Sequence, residues 1–282
     1  MHDLSIVIPT IGREKEVRLL LQSIFDTIPG RLSYEIIIVD QNSDDLLLSA
    51  IHDANNSNVK HCKVAFRGLS KAKNYGVKTA SGTFICFPDD DCRMLENSIE
   101  MALNLLTINQ YDMVAGRCLD ADGNDSVLKF HTSSAELTVR NFEGKMVEAT
   151  LFARRELMID YCFDETLGVG TFHGAEEGFD LVYRLLKEQK RIFYSPDICL
   201  YHPQVILDKS EPKSILRAFT YRCGLGRVCV KHRLYRKLLK RLFAVLLFIP
   251  FCALFRRNWL RFYLAEMLGI LSGVIVKPNQ NE

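Results

Sequence analysis

Runs of apolar residues, each closed by polar or turn-forming residues, alternate with segments of helical periodicity along most of the chain. Residues 4–9 and 34–40 are such runs, while residues 14–28 place apolar side chains at helical spacing. Near-continuous apolar strands are typical of sheets that are buried on both faces. The alternation therefore predicts an α/β fold, with a mostly parallel central sheet and helices on both of its faces.

A further apolar run, residues 84–87, is followed by Pro88 and then by three consecutive carboxylates, Asp89, Asp90 and Asp91. Open α/β sheets bind their ligands at the carboxyl ends of strands, where these acids are expected to lie. The acids could instead cap a helix expected over residues 94–106. Three adjacent acids repel one another without a counter-ion, however, so the pattern favours a cation site.

Asp40 closes the second apolar run and is also expected at the carboxyl end of a central strand. It could be a turn residue or a cap for the helix that follows. In a nucleotide-binding site, the same carboxylate would accept hydrogen bonds from a base or a ribose. The position of Asp40 is compatible with both interpretations.

Positive charge surrounds an expected helix start at Ser70, after the third strand. Lys71 and Lys73 lie here, together with Asn74. A helix N-terminus with nearby cations can bind a diphosphate. A solvated basic helix face would have the same composition.

Four segments, residues 5–10, 38–40, 70–76 and 87–91, together resemble the glycosyltransferases of family 2, which have the GT-A fold. The resemblance implies a nucleotide-sugar donor whose diphosphate is bound through a divalent metal, Mg²⁺ or Mn²⁺. Asp89 and Asp91 match the metal-binding Asp-x-Asp motif of that family, and Asp40 matches its nucleotide-contacting aspartate. The residues expected at the donor are Pro9, Thr10, Asp40, Lys71, Asn74 and Asp90.

The segment of residues 174–181 continues the resemblance and places Glu176 and Glu177 where the family has its catalytic acids. A carboxylate there could take the proton from an acceptor hydroxyl that attacks the anomeric carbon, which would invert the configuration. We therefore expect Glu177, with Glu176 beside it, to supply the general base. Without the resemblance, two acids in the first turn of a helix would be explained by the helix dipole.

His202 follows another expected strand, over residues 191–196. A single histidine is more often structural than functional. The resemblance nevertheless implies that a histidine at this place can complete the metal or diphosphate site. The sequence supports both interpretations equally.

Charge is distributed unevenly, although the formal net charge is only +2. Residues 1–208 carry a net charge of −10 and residues 209–282 one of +12, which predicts a GT-A catalytic domain followed by a basic, apolar helical segment. The apolar run of residues 242–255 is shorter than the ~20 residues of a membrane span. We expect this segment to lie in the interface of an anionic membrane. The alternative is a helical pair packed on the catalytic domain or in a dimer.

These features predict a metal-dependent inverting glycosyltransferase of polysaccharide biosynthesis, with a nucleotide-sugar donor and a lipid-linked or oligosaccharide acceptor. Nine cysteines without a CxxC pair, and an N-terminus without a signal-peptide pattern, predict a cytoplasmic protein that is peripheral on the inner face of the cell membrane. Nucleic acid is not an expected partner, because the basic segment lacks aromatic platforms. The alternatives are a nucleotidyltransferase on a related fold and an inactive membrane-associated scaffold, in which Gly178 marks a lost acid.

Overall fold

The computed structural model describes residues 2–204 and 207–277, which form two compact units. Residues 2–67, 72–162 and 181–204 belong to the first unit, and residues 68–71, 163–180 and 207–277 belong to the second. The division into domains after residue 208 stays a prediction from the charge distribution.

The first unit contains a nine-stranded sheet, counted over the described residues. Its strands are β1 (Leu4–Thr10), β2 (Tyr34–Asp40), β3 (Val59–Lys63), β4 (Phe84–Cys86), β5 (Arg93–Met94), β6 (Met113–Leu119), β7 (Ala135–Glu136), β8 (Phe152–Arg154) and β9 (Ile192–Tyr201). They lie in the order β3-β2-β1-β4-β8-β6-β9-β5, and β7 pairs with β9.

Parallel pairing joins β1 to β2 and β4, and β2 to β3. β6 and β9 are also parallel, whereas β8 runs antiparallel between β4 and β6. All seven residues of β1 are buried, as its apolar sequence predicts. The register places Thr10 opposite Asp40, so the carboxyl ends of β1 and β2 lie side by side. The predicted α/β fold with a mostly parallel central sheet is thereby confirmed.

Helices flank these strands, and their apolar positions follow the helical period. In the first of them, Val17, Leu20, Leu21 and Ile24 are buried at the spacing of one helix face. The helices up to β9 are α1 (Glu14–Thr27), α2 (Leu48–Ala54), α3 (Leu69–Thr79), α4 (Ser98–Thr107), α5 (Arg155–Asp160) and α6 (Glu177–Lys187), with a 3₁₀ turn at Glu148–Thr150. α3 and α6 have residues in both units.

Two strands at the end of the sheet differ from the sequence expectation. β9 continues through Pro196, where we expected it to end, and reaches Tyr201. Its pairing with β6 shifts register after Ala115, and a Cβ on the intervening Gly116 would lie 2.2 Å from the carbonyl oxygen of Ile198. The two-residue strand β5 then pairs with the end of β9, so the following helix α4 begins only at Ser98.

Three long helices dominate the second unit: α7 (Pro212–Lys231), α8 (Tyr235–Phe255) and α9 (Arg257–Ile275). α7 and α9 approach closely through glycines, since a Cβ on Gly273 would lie 2.0 Å from the carbonyl oxygen of Cys223. α8 is longer than the apolar run of residues 242–255, because the basic residues before that run continue the same helix. Among the described residues, α8 is a helix long and apolar enough to cross a membrane, by length and composition.

Glu35, a buried carboxylate in β2, is expected to make the stability of the first unit depend on pH. Burial alone would raise its pKa, but hydrogen bonds from Lys60 (2.5 Å), the Ser5 hydroxyl (2.7 Å) and Ser81 lower the pKa to about 2. Because the folded-state pKa is depressed, this stabilisation is present above the unfolded-state value and is lost as the pH falls from about 4.5 towards 2.

We therefore expect Glu35→Gln to lower the free energy of unfolding by about 2 kcal/mol at pH 7, since it removes a charge-assisted hydrogen bond. Urea unfolding of variant and wild type between pH 7 and pH 3 should show the difference narrowing in acid. Glu96→Gln, which changes an exposed glutamate, is the matched control and should have little effect at either pH. If the free energy of unfolding of Glu35→Gln differs from that of the wild type by the same amount at every pH in this range, the lowered pKa of Glu35 is contradicted.

Candidate active site

The carboxylate of Asp40, at the end of β2, is buried and accepts hydrogen bonds on both oxygens. Oδ1 accepts from the backbone N and the side-chain Nδ2 of Asn42 (2.8 and 2.7 Å), and Oδ2 accepts from Nε2 of His61 (2.8 Å). Asn42 also accepts from the backbone N of Gly12 (2.7 Å), which links the loops after β1 and β2. A carboxylate has about four lone-pair sites, so Asp40 can still accept from a nucleotide.

Pro9 and Thr10, also expected at the donor, end β1 directly beside Val39 and Asp40. Both are buried, and they lie beside Asp40 at the carboxyl-terminal edge of the sheet. The chain then turns at Gly12, whose φ of 70° lies in the left-handed region that favours glycine. This turn lets the backbone between β1 and α1 come close to Asn42.

The three carboxylates after β4 do not cap a helix, because α4 begins well after them. Burial raises the pKa of Asp89 and raises the pKa of Asp90 to about 6, in the latter case against the opposing charge of Arg13. Nη1 of Arg13 donates to Asp90 (3.1 Å) and contacts Asp91. Arg13 thus contacts two of the three acids and does not contact Asp89. Two carboxylates share this single guanidinium, so negative charge remains for a cation to neutralise.

Lys73 and Asn74 lie on α3, on the part of that helix that belongs to the first unit. Lys73 is fully buried, and its positive charge counteracts the effect of burial on the pKa of Asp89. A solvated basic face therefore does not describe Lys73, since a buried lysine requires acidic neighbours. Asn74 is buried as well, whereas Lys71 is half-buried and belongs to the second unit.

His202 is brought to the acidic run by the antiparallel pair of β5 and β9, in which Arg93 lies opposite Tyr201. His202 directly follows Tyr201, and Nε2 of its ring lies 3.6 Å from Oδ1 of Asp91. The other ring nitrogen, Nδ1, donates to the carbonyl oxygen of Pro203 (2.8 Å). This second contact fixes the ring, so that Nε2 points towards the carboxylates.

The side chains around Asp91 and His202 have ligand atoms that suit a divalent cation. One ligand atom each of Asp89, Cys92 and His202 lie within 4.8 Å of one another. Nε2 of His202 faces Oδ1 of Asp91, and a cation between these two atoms could bind both. Carboxylate and imidazole ligands suit Mn²⁺ and, with more oxygen ligands, Mg²⁺. Asp89, Asp91 and His202 are the residues that would hold the metal.

In the second unit, Glu177 is the first residue of α6, and Glu176 precedes it with a φ of 73°. Such a positive φ is strained for a residue with a side chain, and strain of this kind is concentrated at functional sites. Glu177 is buried, and a Cβ on Gly168 would lie 3.1 Å from its carboxyl carbon. A first-turn position also suits the helix dipole, so the role of Glu177 as a base stays a prediction.

An ion-pair network fixes the start of α6. Oδ1 of the buried Asp180 is 2.7 Å from Nζ of Lys231 and 2.7 Å from Nε2 of His232, at the end of α7. Lys231 also donates to Asp164 (2.6 Å), and this interaction contributes to the lowered pKa of Asp164. A buried carboxylate held by two partners keeps the first turn, and with it Glu177, in one orientation.

Three residues of the site were not predicted from the sequence: Arg13, His61 and Cys92. Arg13 and Cys92 lie within three residues of motif positions, so their proximity could have been noticed. His61 lies in β3, and the residues around it in the sequence give no sign of a contact with Asp40. The contacts of His61 depend on strand order, which the sequence does not specify.

The fold and the acidic edge of the sheet agree with the family to which the sequence is similar. The model of the family "Glycosyl transferase family 2" matches residues 5–163, more than half of the chain, and the chain belongs to that family. Similar curated proteins include the minor teichoic acid biosynthesis protein GgaB of Bacillus subtilis, 23% identical over 77% of this chain, and an Escherichia coli glucosyltransferase, WfgD, 25% identical over 45%. These alignments span only 24% of GgaB and 49% of WfgD.

Solved structures with low sequence identity to this chain have the same fold. Residues 1–349 of TarS from S. aureus superpose with a TM-score of 0.61 at 18% identity, over 96% of this chain and 90% of that one. The mannosyltransferase PcManGT from Pyrobaculum calidifontis, in complex with GDP-Man and Mn²⁺, gives a TM-score of 0.67 at 13% identity, over 98% and 89%. The expected GT-A fold is thereby confirmed.

Proposed function

We propose that the protein is an inverting glycosyltransferase of polysaccharide biosynthesis, which transfers a sugar from a nucleotide-diphosphate donor to a lipid-linked or oligosaccharide acceptor. The observation that carries this proposal is the approach of His202 to Asp91, with Asp89 and Cys92 beside them. Acids gathered at strand ends of a GT-A sheet have the chemistry needed to hold the diphosphate of a donor through a metal.

In this proposal, each predicted residue has a specific task at the donor. Asp40 accepts hydrogen bonds from the nucleoside, and Pro9 and Thr10 lie beside it at the end of the neighbouring strand. Lys71 and Asn74 hold the diphosphate, and Asp90 orients Arg13 beside it. Asp89, Asp91 and His202 would hold Mg²⁺ or Mn²⁺, and the bound ion would supply positive charge to stabilise the leaving diphosphate.

The chain must also activate the acceptor. We assign the general base to Glu177, with Glu176 holding the strained turn that orients it. Its carboxylate takes the proton of the acceptor hydroxyl while the hydroxyl oxygen bonds to the anomeric carbon and the diphosphate leaves from the opposite face. Attack from that face inverts the configuration.

The names of similar proteins support this choice of substrates. WfgD is named as a UDP-Glc-dependent glucosyltransferase acting on a diphosphoundecaprenol-linked sugar, and TarS has been solved with UDP-GlcNAc. For this chain we accordingly propose a nucleotide sugar and a lipid-linked acceptor. The basic C-terminal segment, residues 209–282, would keep the enzyme on the anionic inner face of the cell membrane.

Donor binding can be tested by thermal unfolding with UDP-, GDP- and dTDP-sugars, each with Mn²⁺ or with EDTA. One donor is expected to raise the unfolding temperature by a few degrees with Mn²⁺, because a ligand at about 100 times its Kd stabilises by about 2.7 kcal/mol. The shift should be absent with EDTA. Equal shifts with all donors, or none with any, would contradict the proposal.

A further inference from the structure

A pocket of about 360 Å³ lies between α8 and α9 in the second unit, and the proposed sugar transfer does not use it. We call it the α8–α9 pocket. Its lining combines two cations, Lys209 and Arg241, with one carboxylate, Glu266, and the rings of Phe248 and Tyr263. This size and this mixture of apolar walls with a few polar groups are typical of small-molecule sites.

The two oxygens of Glu266 differ sharply in their surroundings. The residue is 3% exposed, and Oε1 accepts from Nε of Arg222 (2.7 Å) and from Nη2 of Arg241 (2.6 Å). Oε2 of Glu266 and Nε of Arg241 are also buried but have no hydrogen-bond partner among the described residues. A buried polar atom without a partner costs about 1–3 kcal/mol. A hydroxyl group could donate to the first atom and accept from the second.

Lys209 gives the pocket an affinity for anions. Its ammonium donates to the hydroxyl of Tyr263 (2.9 Å) and lies 4.3 Å from the ring centroid of Trp259. An ammonium has three donors, of which Tyr263 takes one. The lining carries a net positive charge, because it has the two positive charges of Lys209 and Arg241 and the single negative charge of Glu266. A phosphate group would complement this charge.

The helix that forms one wall of the pocket also has exposed apolar side chains, and the ring centroid of one of them, Phe251, lies 5.2 Å from that of the lining residue Phe248. On α8, Leu247 is 63% exposed, Phe251 44% and Leu254 72%. An anion site beside exposed apolar side chains matches the boundary of a bilayer, where phosphates lie directly above acyl chains. A free phosphate ion would account for the charge but not for these side chains.

We propose that the α8–α9 pocket binds the headgroup of a phospholipid that carries both a phosphodiester and a hydroxyl, as phosphatidylglycerol does. Lys209 contacts the phosphate, while the headgroup hydroxyl donates to Oε2 of Glu266 and accepts from Nε of Arg241. This inference rests on the membrane location in the proposed function and adds to it the chemistry of the lipid.

The test compares sedimentation of the full chain with two kinds of phosphatidylcholine vesicle. One contains phosphatidylglycerol and the other an equal fraction of phosphatidylmethanol, which has the same charge but no headgroup hydroxyl. We expect about fivefold tighter binding to phosphatidylglycerol, which corresponds to the roughly 1 kcal/mol of a hydrogen bond. Inorganic phosphate at constant ionic strength should not compete.

Variants separate the pocket from general surface charge. Ala244→Leu fills the pocket without a change of charge, and should abolish the preference for phosphatidylglycerol. Lys209→Gln should weaken binding about tenfold or more, since it removes a charge-assisted contact. The matched control, Lys240→Gln, changes an exposed lysine next to Arg241 and should keep the preference.

Three results would overturn the lipid assignment: equal binding to both vesicles, a preference that Ala244→Leu retains, or equal losses in Lys209→Gln and Lys240→Gln. Competition by inorganic phosphate would identify the free ion as the ligand and would also overturn it. If neither vesicle binds, the membrane location itself is wrong. Sugar transfer is measured separately, and its loss or retention in these variants does not enter the comparison.

Discussion

Asp91→Asn is expected to reduce sugar transfer by about a thousandfold or more, because the metal that Asp91 is proposed to hold would stabilise the leaving diphosphate by several kcal/mol. The same substitution removes one of three adjacent negative charges, so it should not lower the free energy of unfolding. Steady-state transfer and thermal unfolding should be measured on the same preparation. The Mn²⁺-dependent thermal shift by the donor should disappear together with the activity.

Asp122→Asn is the matched control for this prediction, since it makes the same chemical change at an exposed carboxylate in the loop after β6. It should leave both activity and donor binding unchanged. An Asp91→Asn variant that keeps its activity would remove Asp91 from the metal site. An unfolded variant would show instead that the contact between Arg13 and Asp91 is needed for folding.

Glu177→Gln is expected to lower kcat by about a hundredfold to ten-thousandfold, the contribution of a positioned general base. The amide keeps the size of the side chain but cannot take a proton from the acceptor. Donor binding, followed by thermal shift with Mn²⁺, should be unchanged, because the base acts on the acceptor. The loss should therefore appear in kcat and not in the affinity for the donor.

Glu176→Gln distinguishes the two neighbouring acids. We expect a much smaller loss from it, because Glu176 acts through the turn that orients Glu177. Glu176→Gly, which relieves the strain of a φ of 73°, should be tolerated in folding. If Glu176→Gln lowers kcat more than Glu177→Gln does, the general base is Glu176 and not Glu177.

The apolar runs alone predict the central part of the sheet, because buried parallel strands need apolar residues on both faces. β1 and β2 occur where the sequence indicates, and their register brings Thr10 and Asp40 together. The acids after β4 could likewise be identified, since mutual repulsion makes such a run costly without a function. The strands and the acidic run depend on local sequence, whereas the register between β1 and β2 depends on their pairing.

Other features depend on contacts between distant segments and could not be predicted. The two-residue strand β5 has no periodicity, yet its pairing with β9 determines where His202 lies. The close packing of Gly224 against Ala175, where a Cβ would lie 2.5 Å from a carbonyl oxygen, joins residues 163–180 to the C-terminal helices. α8 begins at Tyr235, before the apolar run of residues 242–255, because the cationic side chains that precede this run are good helix formers.

In the proposed site, Asp89, Asp91 and His202 hold a metal that binds the donor diphosphate. A crystal grown with Mn²⁺ and the nucleoside diphosphate selected by the donor panel would test it through the anomalous signal of manganese. We predict one strong peak bonded to Asp91 and bridging to the diphosphate, with the nucleoside against Asp40. A diphosphate bound away from these carboxylates, or a manganese ion that does not touch it, would contradict the proposed metal site.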